Sequence, residues 1–355
     1  MIKSLIIGAG SIGNHLANAA RARDWDVSVF DIDNNALNRM KNEIYPSRYN
    51  NWDPKIKLIY DHIDSDTQYD VIFIGTPPDT HVKVAINILN SHSPKILFIE
   101  KPLCSPDSQE IDNIQSLINE KKIECVVGYN HNLTANTQYA KKIILEEKII
   151  GTPISINVHW QEHWDGIFKA HPWLNGPMDS YLGYSDRGGG ATGEHSHGIA
   201  LFLYFSDILG FDKPKKISST MKINQKGNIN YDEISNISFI SDEGYLGYVI
   251  QDVVSSPFQK KMRIQGDNGF LEWHANYNDE NDAVIFGKNK TKKEVILFKK
   301  TRQKDFVNEI IHIEDLINQN VKNNIISFDR AIYVMRVIFA AYKSNNQLKT
   351  INIKN

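Results

Sequence analysis

The chain has 355 residues, of which 41% are hydrophobic, and its 40 basic side chains nearly balance 42 acidic ones for a formal net charge of -2. A single core stops growing at about 250 to 300 residues, so this length predicts two domains, and the lack of a basic excess argues against nucleic acid or an anionic membrane as a partner. Two isolated cysteines, Cys104 and Cys125, exclude a disulfide framework and a Cys-based zinc site. With neither a leader-like segment nor an apolar run near 18 residues, we expect a soluble cytoplasmic protein.

Short apolar runs alternate with helical spacing in the first third of the chain. Runs of this kind are typical of buried strands in a parallel sheet, and the helices between them indicate a doubly wound α/β fold. The runs are residues 5–7, 27–30, 71–74, 96–99 and 125–127. We therefore expect a Rossmann domain over residues 1–128.

The first strand runs into the sequence GAGSIG, residues 8–13. In a strand, turn and helix, Gly8 permits the tight turn, Gly10 lets the backbone approach a pyrophosphate, and Gly13 lets helix and strand pack closely. The helix that opens at Ser11 and Ile12 offers its N-terminus to the anion. This pattern predicts a dinucleotide site.

The second strand ends at Asp31, which lies 18 residues after Gly13. An acid near this spacing binds the ribose hydroxyls of NAD and repels the 2'-phosphate of NADP. No arginine follows immediately, since Ile32 and Asp33 come next. We expect NAD as the cofactor, with FAD or a nucleotide sugar left open as alternative ligands.

Two further motifs follow later strands. One is GTPPDTH, residues 75–81, with Thr76, Pro77 and His81, and the other is Glu100-Lys101-Pro102. Open α/β sheets bind their ligands at the carboxyl ends of strands, which is where both motifs stand. A lysine ammonium can stabilise the alkoxide that develops when an alcohol loses hydride, so Lys101 is a candidate catalytic residue.

A linking helix is predicted over about 134–148, because Gly151 can end a helix and Pro153 cannot continue one. The pattern then changes to strands joined by short Gly, Asn or Asp turns, which indicates a second α/β domain, residues 129–355, on an open, mainly antiparallel sheet. The predicted strands are residues 154–160, 233–240, 245–253, 261–265 and 270–274, and two late helices are predicted over 305–319 and 328–344.

Aromatic and polar side chains fill the long stretch between the strand at 154–160 and a glycine triplet at 188–190. Such a stretch suits a sugar, which has apolar faces and many hydroxyls, and it suits an oligomer interface equally well. The substrate-binding candidates are Trp160, Tyr181, Tyr184, Ser185 and Arg187.

The order of these motifs resembles the glucose-fructose oxidoreductase, inositol dehydrogenase and MocA family, written Gfo/Idh/MocA. The resemblance spans most of the chain through GAGSIG, TPPDTH, EKP, Gly128-Tyr129-Asn130, the glycine triplet and RIQGDNG at 263–269. It implies that Lys101 lies beside the nicotinamide and substrate, that Thr76 and Pro77 border the cofactor with His81 and Glu100, and that Asn130 lines the cleft. Relatives usually associate through the open sheet face, which implies a homodimer or homotetramer.

In the family an acid and a histidine follow the glycine triplet on one helix, and here Glu194-His195-Ser196-His197 stands in that place. With the Tyr184-Ser185 pair, this looks like the sugar-nucleotide and polysaccharide subgroup, with Glu replacing Asp. Residues three apart share a helix face, so we expect Glu194 and His197 to project together. His197 would move the hydroxyl proton, and Glu194 would orient this histidine or bind a substrate hydroxyl. Structural histidines are the alternative. The spacing lacks the i, i+4 pattern of a helical zinc site, so no metal is expected.

These observations predict an NAD-dependent oxidoreductase acting on a hydroxyl or keto carbon of a sugar, amino sugar or sugar nucleotide, in surface-polysaccharide or sugar-acid biosynthesis. One alternative is a redox-neutral enzyme, epimerase or glycosidase-like, that holds NAD tightly. The other is an NAD-dependent sensor without catalysis.

Overall fold

The computed structural model describes residues 1–171, 173–242, 244–289, 292–321 and 323–353. The chain folds into two compact units. The first unit comprises Met1–Asn130 and Arg302–Asp329, and the second comprises His131–Thr301 and Arg330–Asn355. The expected division into residues 1–128 and 129–355 places the first break within two residues, but it assigns the returning segment 302–329 to the other unit.

The first 130 residues contain a six-stranded parallel sheet and its crossover helices. The strands are β1 (Lys3–Ile7), β2 (Asp26–Phe30), β3 (Lys57–Ile59), β4 (Val71–Ile74), β5 (Ile96–Ile99) and β6 (Glu124–Val127). The helices are α1 (Ser11–Arg21), α2 (Asn34–Arg39), α3 (Tyr45–Tyr49), α4 (Pro78–Ser91) and α5 (Ile111–Lys121), with a π-helical turn at Met40–Ile44. The strand order β3-β2-β1-β4-β5-β6 is that of a Rossmann fold, which confirms the predicted class.

The apolar runs became central strands because both faces of this sheet are covered. Every residue of β4 and of β5 is buried. The edge strand β3 was not predicted, since it has three residues and its burial is only partial. The strand order reverses between β1 and β4, so their carboxyl ends form the crevice where such sheets bind ligands.

The rest of the chain contains a second, larger sheet and further helices. The strands are β7 (Pro153–Gln161), β8 (Lys216–Lys226), β9 (Ile229–Ser241), β10 (Gly244–Asp252), β11 (Gln259–Gly266), β12 (Gly269–Ala275), β13 (Asn281–Lys288), β14 (Glu294–Lys299) and β15 (Ile351–Asn352). The helices are α6 (Ala135–Lys142), α7 (Asp165–Ala170), α8 (Gly190–Glu194), α9 (His197–Ile208), α10 (Arg302–Ile317) and α11 (Phe328–Gln347). The linking helix predicted to 148 is α6 followed by a π-helical turn at Ile143–Glu147.

The sheet of the second unit has the order β14-β13-β12-β11-β7-β10-β9-β8-β15. Its neighbours are antiparallel except β7 and β10, which are parallel, so the mainly antiparallel sheet is confirmed. Along β7 fully buried residues alternate with partly exposed ones, and α9 packs against this strand and β10. No helix within the described ranges is long and apolar enough to cross a membrane.

Segment 302–329 returns to the first unit because α10 packs on α1. The imidazole of His15 stacks on Phe306 with ring centroids 4.5 Å apart. The indole Nε1 of the buried Trp25 donates to Glu314 Oε1 at 2.9 Å, and Arg23 forms an ion pair with the same carboxylate at 2.7 Å. These partners lie far apart in sequence, so the pattern of the first third does not reveal them.

Candidate functional site

The glycine turn after β1 is shaped by close backbone packing. Gly8 has φ +111°, and a Cβ there would lie 2.7 Å from the carbonyl oxygen of Gly75. A Cβ on Gly13 would lie 2.0 Å from the oxygen of Gly8, so only glycine lets α1 approach the strand. At Gly10 a Cβ would meet no atom within 4 Å. The backbone at Gly10 therefore borders open space at the N-terminus of α1, which fits the pyrophosphate of NAD.

Asn14 supports this turn from inside the domain. It is completely buried, and its Nδ2 donates to the carbonyl oxygens of Gly10 at 2.8 Å and Ala9 at 3.3 Å. Sequence reasoning missed it, because an asparagine in the first turns of a helix is not part of the glycine pattern. Its contacts hold the backbone that borders the anion site.

Asp31 follows β2 and contacts the same turn. One carboxylate oxygen accepts from the amide of Ala9 at 2.8 Å, and the other accepts from the amide of Asp33 at 2.9 Å. A carboxylate has about four lone-pair sites, so these two bonds orient Asp31 and leave acceptors for ribose hydroxyls. The half-exposed carboxylate suits NAD.

His81 was expected to border the cofactor, but its side chain is completely buried. Its Nε2 lies 2.6 Å from the carbonyl oxygen of Thr76, and its Nδ1 lies 3.0 Å from that of Pro102. Burial lowers the pKa of His81 to about 4, so the ring is neutral at pH 7 and donates to only one of these oxygens. We correct its role: His81 connects the Thr76-Pro77 turn with the turn after β5, and it has no exposed surface for a ligand.

The turn after β5 carries Glu100 and Lys101. Glu100 is 5% exposed, and its Oε2 accepts from the amide of Lys101 at 2.7 Å. A Cβ on Gly128 would lie 3.0 Å from the same carboxyl group, so Glu100 packs tightly against the end of β6. The peptide between Lys101 and Pro102 is cis. Glu100 thus fixes the backbone of the half-buried Lys101, which supports a structural role for the glutamate.

Asn130 ends the first part of the unit, after the Gly128-Tyr129 segment. Its Oδ1 is buried and has no hydrogen-bond partner among the described residues. A buried amide oxygen without a partner is uncommon, since such groups are generally hydrogen-bonded in folded proteins. Asn130 therefore offers an acceptor to a bound molecule.

In the second unit the glycine-rich segment before α8 joins two turns. A Cβ on Gly189 would lie 2.1 Å from the carbonyl oxygen of Tyr181, and a Cβ on Gly193 would lie 2.1 Å from that of Gly188. The Tyr181 turn can therefore approach the segment that leads into α8. The hydroxyl of Tyr181 donates to Glu194 Oε2 at 2.9 Å, and both residues are half-buried.

The other substrate candidates lie near this pair in sequence but make different contacts. Arg187 places its guanidinium 5.6 Å from the ring centroid of Tyr184. The hydroxyl of Ser185 donates to the buried Asp232 at 3.4 Å. Tyr184 donates to the carbonyl oxygen of Met178 at 3.4 Å. Of these candidates, the structure brings Tyr181 together with Glu194.

Glu194 and His197 do not lie on one continuous helix. Glu194 is the last residue of α8, and His197 is the first residue of α9. Between them, His195 and Ser196 form a turn, and the Nε2 of Gln251 donates to the carbonyl oxygen of His195. The expectation that both residues lie on one helix is therefore wrong.

His197 lies in an aromatic environment within the second unit. Its ring stacks on Trp160 with centroids 5.6 Å apart and meets the ring of His131 edge-on at 4.8 Å. Trp160 in turn stacks on Trp273 at 6.0 Å. Sequence reasoning missed His131, because nothing in its local pattern distinguishes it from other residues after Asn130.

Trp160 was expected to bind substrate, but it is 1% exposed. Its indole packs between His197 and Trp273, so it supports the histidine and has no exposed face for a sugar. This corrects the assignment. His195 is also buried, and its Nε2 lies 3.4 Å from the carbonyl oxygen of Glu162, whereas His197 is half-buried.

Comparisons with known proteins concern the fold and the first domain. Residues 2–129 match the model of a family described as "Oxidoreductase family, NAD-binding Rossmann fold". No curated protein matches the chain in sequence. Solved structures with the same fold include a levoglucosan dehydrogenase with NADH and levoglucosan, at 17% identity, TM-score 0.77 and 99% coverage of each chain.

Two further structures cover the chain in the same way. An oxidoreductase from Agrobacterium radiobacter, in complex with NAD+, L-tartaric acid and magnesium, has 16% identity and a TM-score of 0.75 over 99% of this chain and 98% of its own. An oxidoreductase domain protein from Kribbella flavida has 17% identity and a TM-score of 0.77 over 100% and 99%. At these identities the likeness shows the fold.

Proposed function

We propose that this chain, whose residues 2–129 match the NAD-binding Rossmann domain of the Gfo/Idh/MocA oxidoreductases, transfers hydride between NAD and a hydroxyl or keto carbon of a sugar, amino sugar or sugar nucleotide. The observation that carries the proposal lies in the first unit. The open backbone at Gly10 and the turn that holds Lys101 stand at the same edge of one parallel sheet, after β1 and β5. In this proposal the edge carries both the dinucleotide site and the lysine.

NAD supplies the position that accepts or donates hydride. The turn from Gly8 to Gly13 and Asp31 hold its pyrophosphate and adenosine ribose, while Asn130 offers an amide oxygen to a bound molecule. Lys101 stabilises the negative charge that develops on the substrate oxygen.

His197 moves the hydroxyl proton in this proposal. A histidine titrates near neutral pH, and stacking on Trp160 restricts the orientation of its ring. The Tyr181–Glu194 pair binds neighbouring substrate hydroxyls in this proposal, since a phenol and a carboxylate both form hydrogen bonds with hydroxyl groups.

A sugar-like substrate is supported by what similar folds bind. The levoglucosan dehydrogenase was crystallised with levoglucosan, and also with L-sorbose, and the Agrobacterium oxidoreductase with L-tartaric acid. All three ligands carry several hydroxyl groups. We further propose a role in surface-polysaccharide or sugar-acid biosynthesis, which rests on the resemblance of Tyr184-Ser185 and Glu194-His197 to one subgroup.

The test is a turnover assay on the full chain. Mass analysis first identifies any nucleotide retained through purification, and absorbance at the NADH band then follows reactions with polyols, aldoses, amino sugars and nucleotide sugars. Production of NADH with at least one of them is expected. Retained NAD together with an epimerised or cleaved product would replace the proposal by redox-neutral catalysis, and NAD binding without any turnover would leave a sensor.

We propose that the protein forms a homodimer or homotetramer through the open sheet face. Apolar side chains on β14 support this idea, since Val295 is 45% and Leu297 is 50% exposed. Light scattering of the purified chain measures the assembly, and a monomer at micromolar concentration would contradict it.

A further inference from the structure

Asp232 lies on β9 in the second unit, and no sequence motif marks it. Its side chain is completely buried. Among the described residues, its carboxylate forms no ion pair, but it accepts four hydrogen bonds from hydroxyl and amide donors. They come from Thr192 N at 2.8 Å, Thr192 Oγ1 at 2.6 Å, Tyr342 OH at 2.6 Å and Ser185 Oγ at 3.4 Å. A buried carboxylate with this many donors is built into the fold for a reason.

Two of the donating residues lie on the segments that carry the Tyr181–Glu194 pair. Ser185 is four residues after Tyr181, and Thr192 is two residues before Glu194 on α8. The third donor, Tyr342, comes from α11 and is separate from both segments. Asp232 therefore connects the two pieces of chain whose side chains meet at 2.9 Å.

The glycine-rich segment fits around this carboxylate. Gly190 has φ +75°, and a Cβ there would lie 2.1 Å from Asp232 Oδ1. Any other residue at 190 would displace the carboxylate or strain the backbone. Burial raises the pKa of Asp232, while the hydrogen bonds from Thr192 and Tyr342 act in the opposite direction.

We propose that Asp232 is a positioning residue, which sets the distance and orientation of Tyr181 and Glu194 by binding Ser185 and Thr192. It acts through these residues, because its side chain has no exposed surface. The inference rests on the proposed function in one respect: it assigns to the Tyr181–Glu194 pair the binding of substrate hydroxyls.

The first experiment needs no substrate. Deuterium exchange of peptides covering residues 188–197 is compared in the unmodified chain, Asp232→Leu and Tyr342→Phe. Leucine has nearly the shape of aspartate but no acceptor atom, so both hydrogen bonds from Thr192 are lost. We expect exchange at the Thr192 amide to accelerate at least about tenfold in Asp232→Leu, the loss of one hydrogen bond to a charged group, and to stay unchanged in Tyr342→Phe. Equal exchange in all three proteins would overturn the proposal.

The second experiment measures kinetics with the panel sugar of highest turnover. Asp232→Leu and Thr192→Val should both raise the KM for that sugar, while the Kd for NAD and the kinetics of Tyr342→Phe stay near those of the unmodified chain. In a Glu194→Ala background, Asp232→Leu should have no further effect on KM, because the pair it positions is gone. Additive effects in the double variant would overturn the positioning role. Absence of turnover in the unmodified chain would defeat the proposed function, and the exchange data would still decide whether Asp232 anchors the segment.

Discussion

Single carboxylates decide much of the chemistry that this chain can support. Each carboxylate oxygen of Asp31 accepts a hydrogen bond from one backbone amide, and the remaining lone pairs can bind a ligand. Glu100 uses an oxygen to hold the amide of Lys101 and is nearly inaccessible. Two acids at strand ends thus have different functions, because one is half-exposed and the other is packed against Gly128.

Asp31→Ser should weaken NAD binding and reduce the preference for NAD over NADP. A bond between a charged group and a ribose hydroxyl contributes about 1.5–3 kcal/mol, so we expect the KM for NAD to rise about tenfold or more. Asp33→Asn is the matched control, because Asp33 caps α2 through the amide of Asn35 at 2.9 Å. Steady-state kinetics with both cofactors measure the effect, and unchanged selectivity in Asp31→Ser would contradict the assignment.

Lys101→Ala should reduce kcat about 100-fold or more, since removing one group that stabilises a developing oxyanion has an effect of this size. The Kd for NAD, measured by calorimetry, should change little. Lys95→Met is the control: Lys95 lies just before the amino end of β5 and pairs with Asp70 at 2.9 Å. Full turnover in Lys101→Ala with saturating cofactor would remove the lysine from the mechanism.

At the scale of elements, local patterns predicted α10 as a helix but did not assign it to the first unit. Glu309 on this helix is completely buried, and neither of its carboxyl oxygens has a hydrogen-bond partner among the described residues. Burial, and then the charges of Glu100 and Asp305, raise its pKa well above the usual value of 4.5. These causes favour the protonated form of Glu309 in the folded protein.

Glu309→Gln should stabilise the protein increasingly as the pH rises. Below about pH 4.5 Glu309 carries its proton in both the folded and the unfolded chain. Above that pH only the unfolded chain releases the proton. The free energy of unfolding therefore falls by about 1.4 kcal/mol per pH unit, until the pH reaches the pKa of Glu309 in the folded protein. The gain in Tm over the unmodified chain should grow as the pH rises from about 4.5. The exposed Glu120→Gln serves as control, and a gain independent of pH would show that Glu309 is ionised when folded.

The sequence predicted those elements that their own residue pattern marks. Buried apolar runs predicted β1, β2, β4, β5 and β6, and backbone rules predicted the glycine turn and Asp31. The strands β3, β8, β13, β14 and β15 were missed. β3 and β8 present no continuous buried apolar pattern, whereas the buried run of β13 was overlooked. The turn at His195 and Ser196 separates α8 from α9, and the helical spacing of Glu194 and His197 does not reveal it.

The same distinction holds for the candidate site. The motifs give the positions of Lys101, Glu194 and His197, but the side chains that support them come from distant elements. Trp160 is a support of His197 and not a sugar platform, since tertiary packing buries it completely. Residue type alone does not separate an aromatic ring that binds substrate from one that packs beneath a histidine.

At the scale of the whole molecule, the division into two units predicts which fragments fold. Residues 1–128 alone lack α10 and would expose the surface around His15 and Trp25. We expect this fragment to aggregate or to melt without cooperativity. Residues 1–130 joined to 302–329 by a Gly/Ser linker of about 15 residues, which spans about 20 Å, should show a cooperative transition by circular dichroism and bind NAD. Equal behaviour of the two fragments would contradict the role of α10.

The return of residues 302–329 also affects how such a protein can diversify in evolution. Exchange of the second unit by a single recombination event after residue 130 would bring with it a foreign α10, and that helix would have to pack on the resident α1. Successful chimaeras therefore need two crossovers that leave the returning segment with its own sheet. New substrate specificities should then arise mostly by substitution within the second unit, while the dinucleotide domain and its distant helix are inherited together.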